Sequence, residues 1–564
     1  MTDKFDVIIV GAGPAGCSSA IHLSRLGYDV LMLEKGKVAG QKNVTGGVLF
    51  GKYLDKYGLI NLIPNFEEEA PIERKITEHE VHILSNVKTE NNINSYKIKS
   101  ITDNSLLSKL GFINTKISTG VDYTVLRSKF DRWFSMKAIE EGALLNTENT
   151  VENLIFSGNN VVGVQTTNEQ LYADLVIDSS GVTSNLIEQT GLRDKLEPMD
   201  TYHGVKHVYE LDKETIDKRF KLKNNYGKSL VYFGEFMHGV NGGAFIYTNN
   251  TTISIGIVFS LDSLMNKMTN NFDLIGKPVD ILENFERQPR INEYIKDATL
   301  VEYSAHNIPK GHKVMLNQPY INGYMATGDC LGAFVKIGPL IDGMRRAIAT
   351  GIMAGETFDY ARKNKDYSIN SLSKYKELLQ PIYSDINKSR FDSRLLENEL
   401  AYTLTPKILF NFGSYDKIKC NIPKDNISNQ NSITKIQNKT GILDYEEDPD
   451  YSHIKLNQKN CDSAEDKSWV PLCPVNCYTL VNNKGIFASF KDLYQYNLKL
   501  IAAKQTTNVE NDAKQLTLED IKKSKVSFDH VACVSCGTCG VIGPKSSIIF
   551  NHERSGHGVK FKYG

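Results

Sequence analysis

The sequence predicts an α/β protein with an inserted antiparallel sheet and a small cysteine-rich domain at its end. Three observations lead to this fold class. A strand–turn–helix–strand pattern fills Phe5–Glu34, period-2 apolar segments follow one another from His203 to about Ser260, and six of the nine cysteines lie between Cys461 and Cys539. Since 564 residues are too many for one core, we expect two to four domains.

The first pattern has the features of a dinucleotide site. Gly11 permits a tight turn after the first strand, Gly13 lets backbone N–H groups approach a pyrophosphate, and Gly16 lets the helix lie close to the strand. The second strand ends at Glu34, which is placed to accept hydrogen bonds from a ribose. An acid here favours FAD or NAD over NADP. We therefore expect cofactor contacts from Gly11, Gly13, Pro14, Ala15, Gly16, Glu34 and Lys35.

Two further segments extend this site. Within Val121–Ala143 the apolar residues fall at helical spacing, and Arg127, near the start of that helix, is within reach of a cofactor phosphate. A core strand then ends at Asp178, and an Asp-x-x-Gly turn runs through Gly181. Flavoproteins complete the first half of their cofactor site with such a turn.

The chain returns to the site after the inserted segment. A short apolar strand from Gly323 leads into Gly328 and Asp329, where a carboxylate can bond the ribityl hydroxyls of a flavin. A helix begins near Gly343, and its N-terminus can point at the flavin ring or the pyrophosphate. A site for NAD alone does not need this second contact, so the pattern favours FAD.

These segments predict the domain order. Residues 1–200 and 320–360 form a discontinuous Rossmann-like FAD-binding domain, and 201–319 form an antiparallel-sheet domain for the substrate. A helical region, 361–419, carries a leucine stripe that core packing explains. The polar stretch at 420–450 is predicted to be a linker because it lacks periodicity, and 451–564 form the small domain. The stripe consists of Leu395, Leu396, Leu400 and Leu404.

Charge and hydropathy limit the partners and the location. Lys plus Arg and Asp plus Glu both number 66, so the zero formal charge argues against nucleic-acid binding. No apolar run approaches the roughly 18 residues that span a bilayer, and the N-terminus enters a strand instead of a signal peptide. The protein is expected to be cytosolic or attached to a membrane face. The apolar segment Lys56–Phe66 either dips into lipid or packs in a core.

Three cysteines near the end of the chain indicate an iron–sulfur cluster. Cys533, Cys536 and Cys539 have the C-x₂-C-x₂-C spacing that places thiolates on three corners of a [4Fe–4S] cube. Zinc is the main competitor, but zinc sites generally pair two C-x₂-C units. Gly543–Pro544 stands where bacterial ferredoxins carry a fourth cysteine, so the fourth ligand must come from elsewhere.

Cys473 is the candidate for the fourth ligand, because a proline directly follows it. Cys461 and Cys477 are the alternatives, either as replacements for Cys473 or as buried thiols.

The sequence resembles the electron-transfer flavoprotein:quinone oxidoreductase family. The flavoprotein-type resemblance runs from about Lys4 to Glu356 through FDVIIVGAGPAGCSSA, GQKNVTGGVL, FDRWF, GVKHVYEL, GGAFIYTN, ATGDCLGAF and DGMRRAIATGIMAGE. The ferredoxin-type resemblance runs from SHIKL through LCPVNCY and CVSCGTCGVIGP to HGVKFKYG. In this family the cysteine before proline and the later three hold one [4Fe–4S] cluster, which carries over to Cys473, Cys533, Cys536 and Cys539.

The resemblance implies a redox relay. Electrons from reduced electron-transfer flavoprotein pass through the cluster and FAD to a membrane quinone, which would bind in the domain 201–319. Such a protein is expected to be a peripheral, monotopic protein on the cytoplasmic face of a membrane. Two features depart from the family. Cys533 lies 60 positions after Cys473, and this interval includes extra, mostly polar residues near 487–523. The Gly-Pro-Leu-Ile stretch at 338–341 leaves the acceptor less certain.

Two other functions remain open at this point. Geranylgeranyl reductases, which reduce isoprenoid double bonds with a flavin, share the N-terminal motifs but not the ferredoxin-type segment. A non-catalytic subunit that carries electrons to a larger complex would share both segments. Reduction of a soluble quinone analogue by the purified protein would exclude the second alternative.

Overall fold

Two large β-sheets organise the chain. The structure is a computed structural model that describes residues 4–564 except 46, 86–87, 91–92, 102–119, 271–275, 338–339, 397–414, 421–431, 483–484, 490–491, 493–522, 545–546 and 555. Much of the extra segment near 487–523 and part of the predicted leucine stripe therefore lie outside the described residues.

The first sheet, which we call sheet A, is the parallel sheet of the predicted FAD-binding domain. Its central strand, Lys4–Val10, lies between Gln170–Asp178 and Val30–Leu33, and all three run parallel. Val7, Ile8 and Ile9 are fully buried because helices cover both faces of such a sheet. In the described part of the chain its strands, in order, are Tyr320–Ile321, Tyr324–Ala326, Gln170–Asp178, Lys4–Val10, Val30–Leu33 and Leu144–Asn146, with Val151–Ser157 and Asn160–Thr166 attached to Gln170–Asp178.

The helix Pro14–Arg25 follows the central strand of sheet A. It packs against Met344–Asn364, and also against Arg127–Glu140. This packing brings three distant parts of the chain to one edge of the sheet. Other helices near this core are Leu59–Leu62, Phe66–Glu69, Leu186–Gln189, Gly311–Val314, Gly328–Leu331, Ile369–Leu378 and Gln380–Leu396.

The second sheet, sheet B, confirms the predicted antiparallel insertion and is larger than predicted. All of its described strand pairs are antiparallel except Ile72–Leu84 with Tyr226–Gly234. Its main path is Thr299–Pro309, Thr201–Glu210, Thr252–Ser260, Gly242–Thr248, Tyr226–Gly234, Ile72–Leu84, Ile93–Ile101 and Asp416–Cys420, with Leu49–Phe50, Lys88–Glu90 and Asp122–Val125 attached. Its helices are Lys213–Phe220, Leu261–Asn270, Pro278–Glu286 and Pro289–Ile295.

Sheet B takes strands from ranges that the sequence assigned elsewhere. Ile72–Leu84 and Asp122–Val125 fall within the predicted FAD-binding range, and Asp416–Cys420 falls within the predicted helical region. These strands pair with residues far away in the sequence, and a local pattern cannot show such partners. The domain boundaries themselves stay a prediction.

A helix at Ser432–Thr440 corrects the predicted linker. Ile436 on this helix is buried, and Lys435 and Lys439 both form ion pairs with Glu283, at 2.6 Å and 3.0 Å. These contacts come from sheet B, so the helix depends on tertiary packing more than on its own propensity.

The C-terminal region consists of small antiparallel sheets that pack on sheet B. Trp469 and Tyr478 belong to the same buried core as Tyr303 of sheet B. The strand pairs are Asp444–Glu446 with Gly558–Lys560, Ile454–Leu456 with Ile548–Phe550, and Tyr478–Asn482 with both Gly485–Phe487 and Lys525–Phe528. The helices are Gln458–Ser463, Trp469–Leu472 and Thr538–Ile542.

Most apolar side chains of the segment Lys56–Phe66 face the core, whereas Lys56, Asn61, Pro64 and Asn65 are exposed. Leu59, Leu62, Ile63 and Phe66 are all buried in the core of sheet A. Core packing therefore accounts for these four side chains, and the structure does not support this segment as the membrane contact. Among the helices that the structure describes, none combines the length and apolarity needed to cross a bilayer.

Candidate functional site

A large cavity lies at the edge of sheet A where its parallel strands end. Ligands of open α/β sheets bind at this edge, outside the carboxyl ends of the strands. Most of the predicted cofactor-contacting residues line the cavity: Gly11, Gly13, Pro14, Ala15, Glu34, Lys35, Arg127, Gly181, Gly328, Asp329 and Gly343.

The three glycines of the first turn have different surroundings. Gly11 has φ +98°, a conformation that favours glycine. A Cβ atom on Gly16 would lie 1.9 Å from the carbonyl oxygen of Gly11, so this residue lets the helix approach the strand instead of facing the cavity. A Cβ on Gly13 would meet no atom closer than 3.5 Å, the Arg127 guanidinium, and would project into the cavity.

The carboxylate of Glu34 is fixed by the backbone around it. It accepts hydrogen bonds from the N–H of Ala12 at 3.1 Å and of Gly36 at 2.8 Å. Burial raises the pKa of Glu34 from its ordinary value, although these N–H groups oppose that effect. The carboxylate lines the cavity after the second strand, as the ribose contact requires.

Arg127 and Asp329 place opposite charges in the cavity wall. Arg127 is held by an ion pair with Asp131, whose Oδ2 lies 2.7 Å from Nη2. Burial raises the pKa of Asp329 to about 6, against the opposing influence of Arg127. Gly343 is the N-cap of the helix Met344–Asn364, and no side chain caps this end. Gly343 and Met344 line the cavity, so the N-terminus of the helix faces it.

Asp178 does not face the cavity. Its carboxylate accepts hydrogen bonds from Ser180 N at 3.0 Å, from Ser184 Oγ at 2.8 Å and from Tyr324 OH at 2.8 Å. These bonds tie the turn that carries Gly181 to a neighbouring strand. Asp178 therefore shapes the turn, and its predicted contact with the cofactor is not seen.

Several cavity residues carry no assignment from the sequence. Lys42 donates to the carbonyl of Val559 at 2.8 Å, and burial lowers the pKa of Lys42 to about 8. Lys206 and His306 line the cavity from sheet B, where burial lowers their pKa values to about 8 and about 3. The two lysines lie in GQKNVTGGVL and GVKHVYEL, two of the segments that carry the family resemblance. The sequence of these segments does not show which of their side chains face a cavity.

A second, smaller cavity adjoins the first. The two share Phe245, Val258 and Ile341 in their walls. Its other lining residues are mostly apolar or aromatic and come from sheet B and the segment before Met344: Tyr202, Val231, Phe233, Ala244, Tyr247 and Lys336 among them. The Phe245 and Tyr247 rings stack at 4.8 Å between centroids.

The cysteines predicted to bind metal are all buried in one core. The N–H of Cys477 donates to Cys473 Sγ at 3.3 Å, and the N–H of Ser535 donates to Cys533 Sγ at 3.3 Å. The Cys477 sulfur also lies against those of Cys473 and Cys533. Cys461 lies apart, on the helix Gln458–Ser463, where its thiol faces the carbonyl of Ser547 at 3.8 Å.

The chemistry of the four predicted cysteine ligands suits iron–sulfur ligation, because thiolates bind the irons of a [4Fe–4S] cluster. Within the described residues, no group of three or more His, Cys, Asp or Glu side chains converges as a metal site, so neither a cluster nor a single ion is shown. Four buried thiols, two of them accepting backbone N–H bonds, have the chemistry that such a cluster needs.

The cysteine loop touches the large cavity. Ser535, between Cys533 and Cys536, contributes to the cavity wall. The N–H of Asn307 donates to the carbonyl oxygen of Cys536 at 3.3 Å, and the neighbouring His306 lines the cavity. The cysteine loop and the large cavity are thus in contact through Ser535 and through the strand that carries His306.

Comparisons with known proteins agree with this geometry. The sequence model of a family described as DAO, FAD dependent oxidoreductase, matches residues 6–85. Protein FixC of Salmonella typhimurium strain LT2 is 36% identical over 425 residues, which cover 75% of this chain and 90% of that protein. The probable electron transfer flavoprotein-quinone oxidoreductase YdiS of Escherichia coli K12 is 33% identical over 411 residues, or 72% of this chain and 89% of that protein.

A solved structure shares the fold. The geranylgeranyl bacteriochlorophyll reductase-like protein of Thermoplasma acidophilum superposes with a TM-score of 0.54 at 20% identity, over 72% of this chain and 91% of that one. At this identity the likeness concerns the fold alone.

The cavity and the family match define the class of protein: it is an oxidoreductase that uses FAD. Within that class, the chain belongs to the electron-transfer flavoprotein:quinone oxidoreductase family, with the FixC proteins among its relatives. The predictions of the family, the FAD-binding fold and the cofactor FAD are thereby confirmed.

Proposed function

We propose that this protein passes electrons from an electron-transfer flavoprotein, through a [4Fe–4S] cluster and FAD, to a membrane quinone. Cys473, Cys533, Cys536 and Cys539 would hold the cluster. When bound, the cluster supplies one-electron transfer and FAD supplies two-electron transfer, which together suit a quinone acceptor. The name of YdiS, an electron transfer flavoprotein-quinone oxidoreductase, supports both partners.

The contact between the cysteine loop and the FAD cavity carries this proposal. Ser535 belongs to both, and the Cys536 carbonyl is bonded to the strand that carries His306. A relay requires its two redox groups to be close and shielded from water, and the buried cysteines meet that requirement. A structural zinc site would have no reason to lie against a flavin cavity.

Cys477 is better suited to a supporting role than to that of a ligand. Its own backbone N–H is directed at the Cys473 sulfur, and its thiol lies between two of the other sulfurs. Hydrogen bonds to ligand sulfurs stabilise an iron–sulfur cluster and tune its potential. We therefore assign Cys473 as the fourth ligand and Cys477 as a donor beside it.

The smaller cavity is the candidate site for the quinone ring. It is lined by aromatic and aliphatic side chains, and it meets the FAD cavity at Phe245, Val258 and Ile341. Pockets for apolar rings have this character, with few polar groups to orient the ligand. Ile341 belongs to the stretch at 338–341 that departs from the family. A difference in this wall would allow the protein to accept another quinone than its relatives do.

A surface cleft reaches the cysteines from the other side. Cys533 lines it together with Asp448, His530 and Arg554. A protein donor that docks over this cleft would come close to a cluster ligand without approaching the FAD.

The proposed location is the cytoplasmic face of a membrane, in peripheral contact. Such contact follows from the acceptor, because a lipid-soluble quinone has to be reached in the membrane.

Turnover with purified components tests this function. Protein purified without oxygen is mixed with reduced electron-transfer flavoprotein and a short-chain quinone analogue, and quinol is measured. We expect quinol formation that Cys536→Ser abolishes and Cys461→Ser preserves. Failure of the unmodified protein to form quinol, combined with reduction of an isoprenoid double bond, would replace this proposal with the reductase function.

A further inference from the structure

One buried histidine contacts a predicted cluster ligand. The Nε2 atom of His453 lies 3.4 Å from Cys533 Sγ, within hydrogen-bond distance for sulfur. Only 5% of His453 is exposed. Its ring lies edge-to-face against those of His530 and Phe550, with centroid distances of 5.7 Å and 5.8 Å.

A buried carboxylate lies on the other side of the same nitrogen. Glu553 Oε1 is 3.8 Å from His453 Nε2, and Glu553 Oε2 is 3.6 Å from Lys35 Nζ. Neither carboxylate oxygen accepts a hydrogen bond from another residue in the described part of the chain. Lys35 belongs to the wall of the FAD cavity, so Glu553 stands between the two cofactor sites.

This arrangement fixes the proton of the imidazole. Nε2 faces a carboxylate and a cysteine sulfur that is a thiolate when it binds iron. A bare nitrogen lone pair would be repelled by both anions, whereas an N–H is attracted by both. We therefore expect His453 to carry its N–H at Nε2 and to donate a hydrogen bond from it to the Cys533 sulfur.

The backbone keeps this donor in place. The N–H of Asn551 donates to the carbonyl of His453 at 2.8 Å, just before the paired strands Ile454–Leu456 and Ile548–Phe550. The histidine and Glu553 thus lie at the ends of two hydrogen-bonded strands.

We propose that His453, oriented by Glu553, is a positioning residue that donates a hydrogen bond to the Cys533 sulfur and thereby raises the reduction potential of the cluster. The inference rests on the proposed [4Fe–4S] cluster. The reduced cluster carries one more negative charge than the oxidised cluster, and part of that charge lies on its sulfurs. A hydrogen bond to a ligand sulfur therefore stabilises the reduced form more, which favours acceptance of an electron.

Redox titration of the cluster, followed by EPR, tests this inference. His453→Leu removes the donor, His453→Gln retains an N–H group, and His530→Gln is the matched control. His530 lines the same cleft, and its backbone carbonyl accepts a hydrogen bond from the N–H of Cys533 at 2.9 Å, a bond that a change of side chain retains. Among the described residues its ring makes no hydrogen bond to a cysteine sulfur. Iron and sulfide content of the unmodified protein are measured first.

We expect His453→Leu to lower the ratio of reduced to oxidised cluster about tenfold at a fixed potential, which corresponds to about 59 mV for one electron. His453→Gln should recover most of that difference, and the control should match the unmodified protein. An intact cluster with an unchanged potential in His453→Leu would overturn this inference and leave the proposed function standing. Absence of iron from the unmodified protein would overturn both.

If His453→Leu loses the cluster, its reduction potential cannot be compared, and a second measurement then tests the inference. Protein with ¹⁵N-labelled histidine side chains is reduced and studied by pulsed EPR. We expect a nitrogen coupling to the cluster that persists in His530→Gln and disappears in His453→Gln. No histidine coupling in labelled, cluster-containing protein would overturn the inference.

Discussion

Replacement of Gly13 by valine should empty the FAD site without unfolding the protein. Gly13 has φ −83°, which any residue adopts, and its Cβ would lie 3.5 Å from the nearest protein atom. The valine methyl groups would instead occupy the cavity at the N-terminus of the helix Pro14–Arg25, where backbone N–H groups can bind phosphate.

The size of the effect follows from the hydrogen bonds that are lost. A hydrogen bond to a charged group contributes roughly 1.5–3 kcal/mol, so losing two would cost about 3–6 kcal/mol. At about 1.4 kcal/mol per tenfold, FAD should bind roughly 10²- to 10⁴-fold more weakly.

Gly16→Ala is the matched comparison, since it changes a glycine of the same turn that faces the protein. Its Cβ would lie 1.9 Å from the Gly11 carbonyl oxygen, where ordinary contacts begin at 3.4 Å. The helix must therefore move by roughly 1.5 Å, and such overpacking costs about 1–3 kcal/mol or more. This exceeds the roughly 1 kcal/mol gained when alanine replaces glycine in a helix.

The assay combines FAD absorbance of the purified variants with thermal unfolding of their apoproteins. Gly13→Val should lose FAD and keep the unfolding temperature of the unmodified apoprotein, whereas Gly16→Ala should unfold at a lower temperature. Full FAD content in Gly13→Val would refute the assignment of this turn to the pyrophosphate.

Three further results are expected. Asp329→Asn should stabilise the apoprotein at pH 7 by up to about 3 kcal/mol. The pKa of Asp329 in the folded protein is about 6, above the ordinary 3.8, so the native carboxyl destabilises the fold as pH rises from about 4 through 6. Thermal unfolding at pH 7 and pH 3.5 checks that the difference in stability vanishes at the lower pH. Cys533→Ser should lose its iron and retain FAD, whereas Cys461→Ser should keep both, as measured by metal analysis and flavin absorbance. The full-length protein should float with liposomes and be released by detergent better than by salt, since its formal net charge is zero; a protein that stays unbound at low salt would contradict the membrane location.

The glycine-rich turn could be predicted because its causes are local. Gly11 and Gly13 are required by the backbone between one strand and one helix, so four or five neighbouring residues carry the information. The spacing of Cys533, Cys536 and Cys539 is equally local and suits the size of a [4Fe–4S] cluster, but the cluster itself stays a prediction.

Asp178 shows where a local pattern misleads. The sequence predicts an acid at the end of a core strand, and the structure has Asp178 at that position. Its carboxylate nevertheless turns to Tyr324, 146 positions away, because that strand becomes its neighbour in sheet A. The direction of the side chain depends on a partner that the turn itself does not encode.

The segment Lys56–Phe66 illustrates a different limit. Apolar residues beside a proline are compatible with both a membrane contact and a buried core helix. Only the packing of the folded chain distinguishes the two interpretations. Phe66 contacts Tyr123 with ring centroids 5.5 Å apart, within the core that buries Leu59. The choice therefore depends on a strand that lies more than 50 positions later in the chain.

Counting electrons tests the central claim most directly. Protein purified without oxygen is titrated with dithionite while flavin absorbance and the EPR signal of the reduced cluster are recorded together. A chain that holds both FAD and one [4Fe–4S] cluster should take up about three electrons, two that bleach the flavin and one that produces the EPR signal. Uptake of only two electrons with no EPR signal, in protein that contains zinc instead of iron, would contradict the relay.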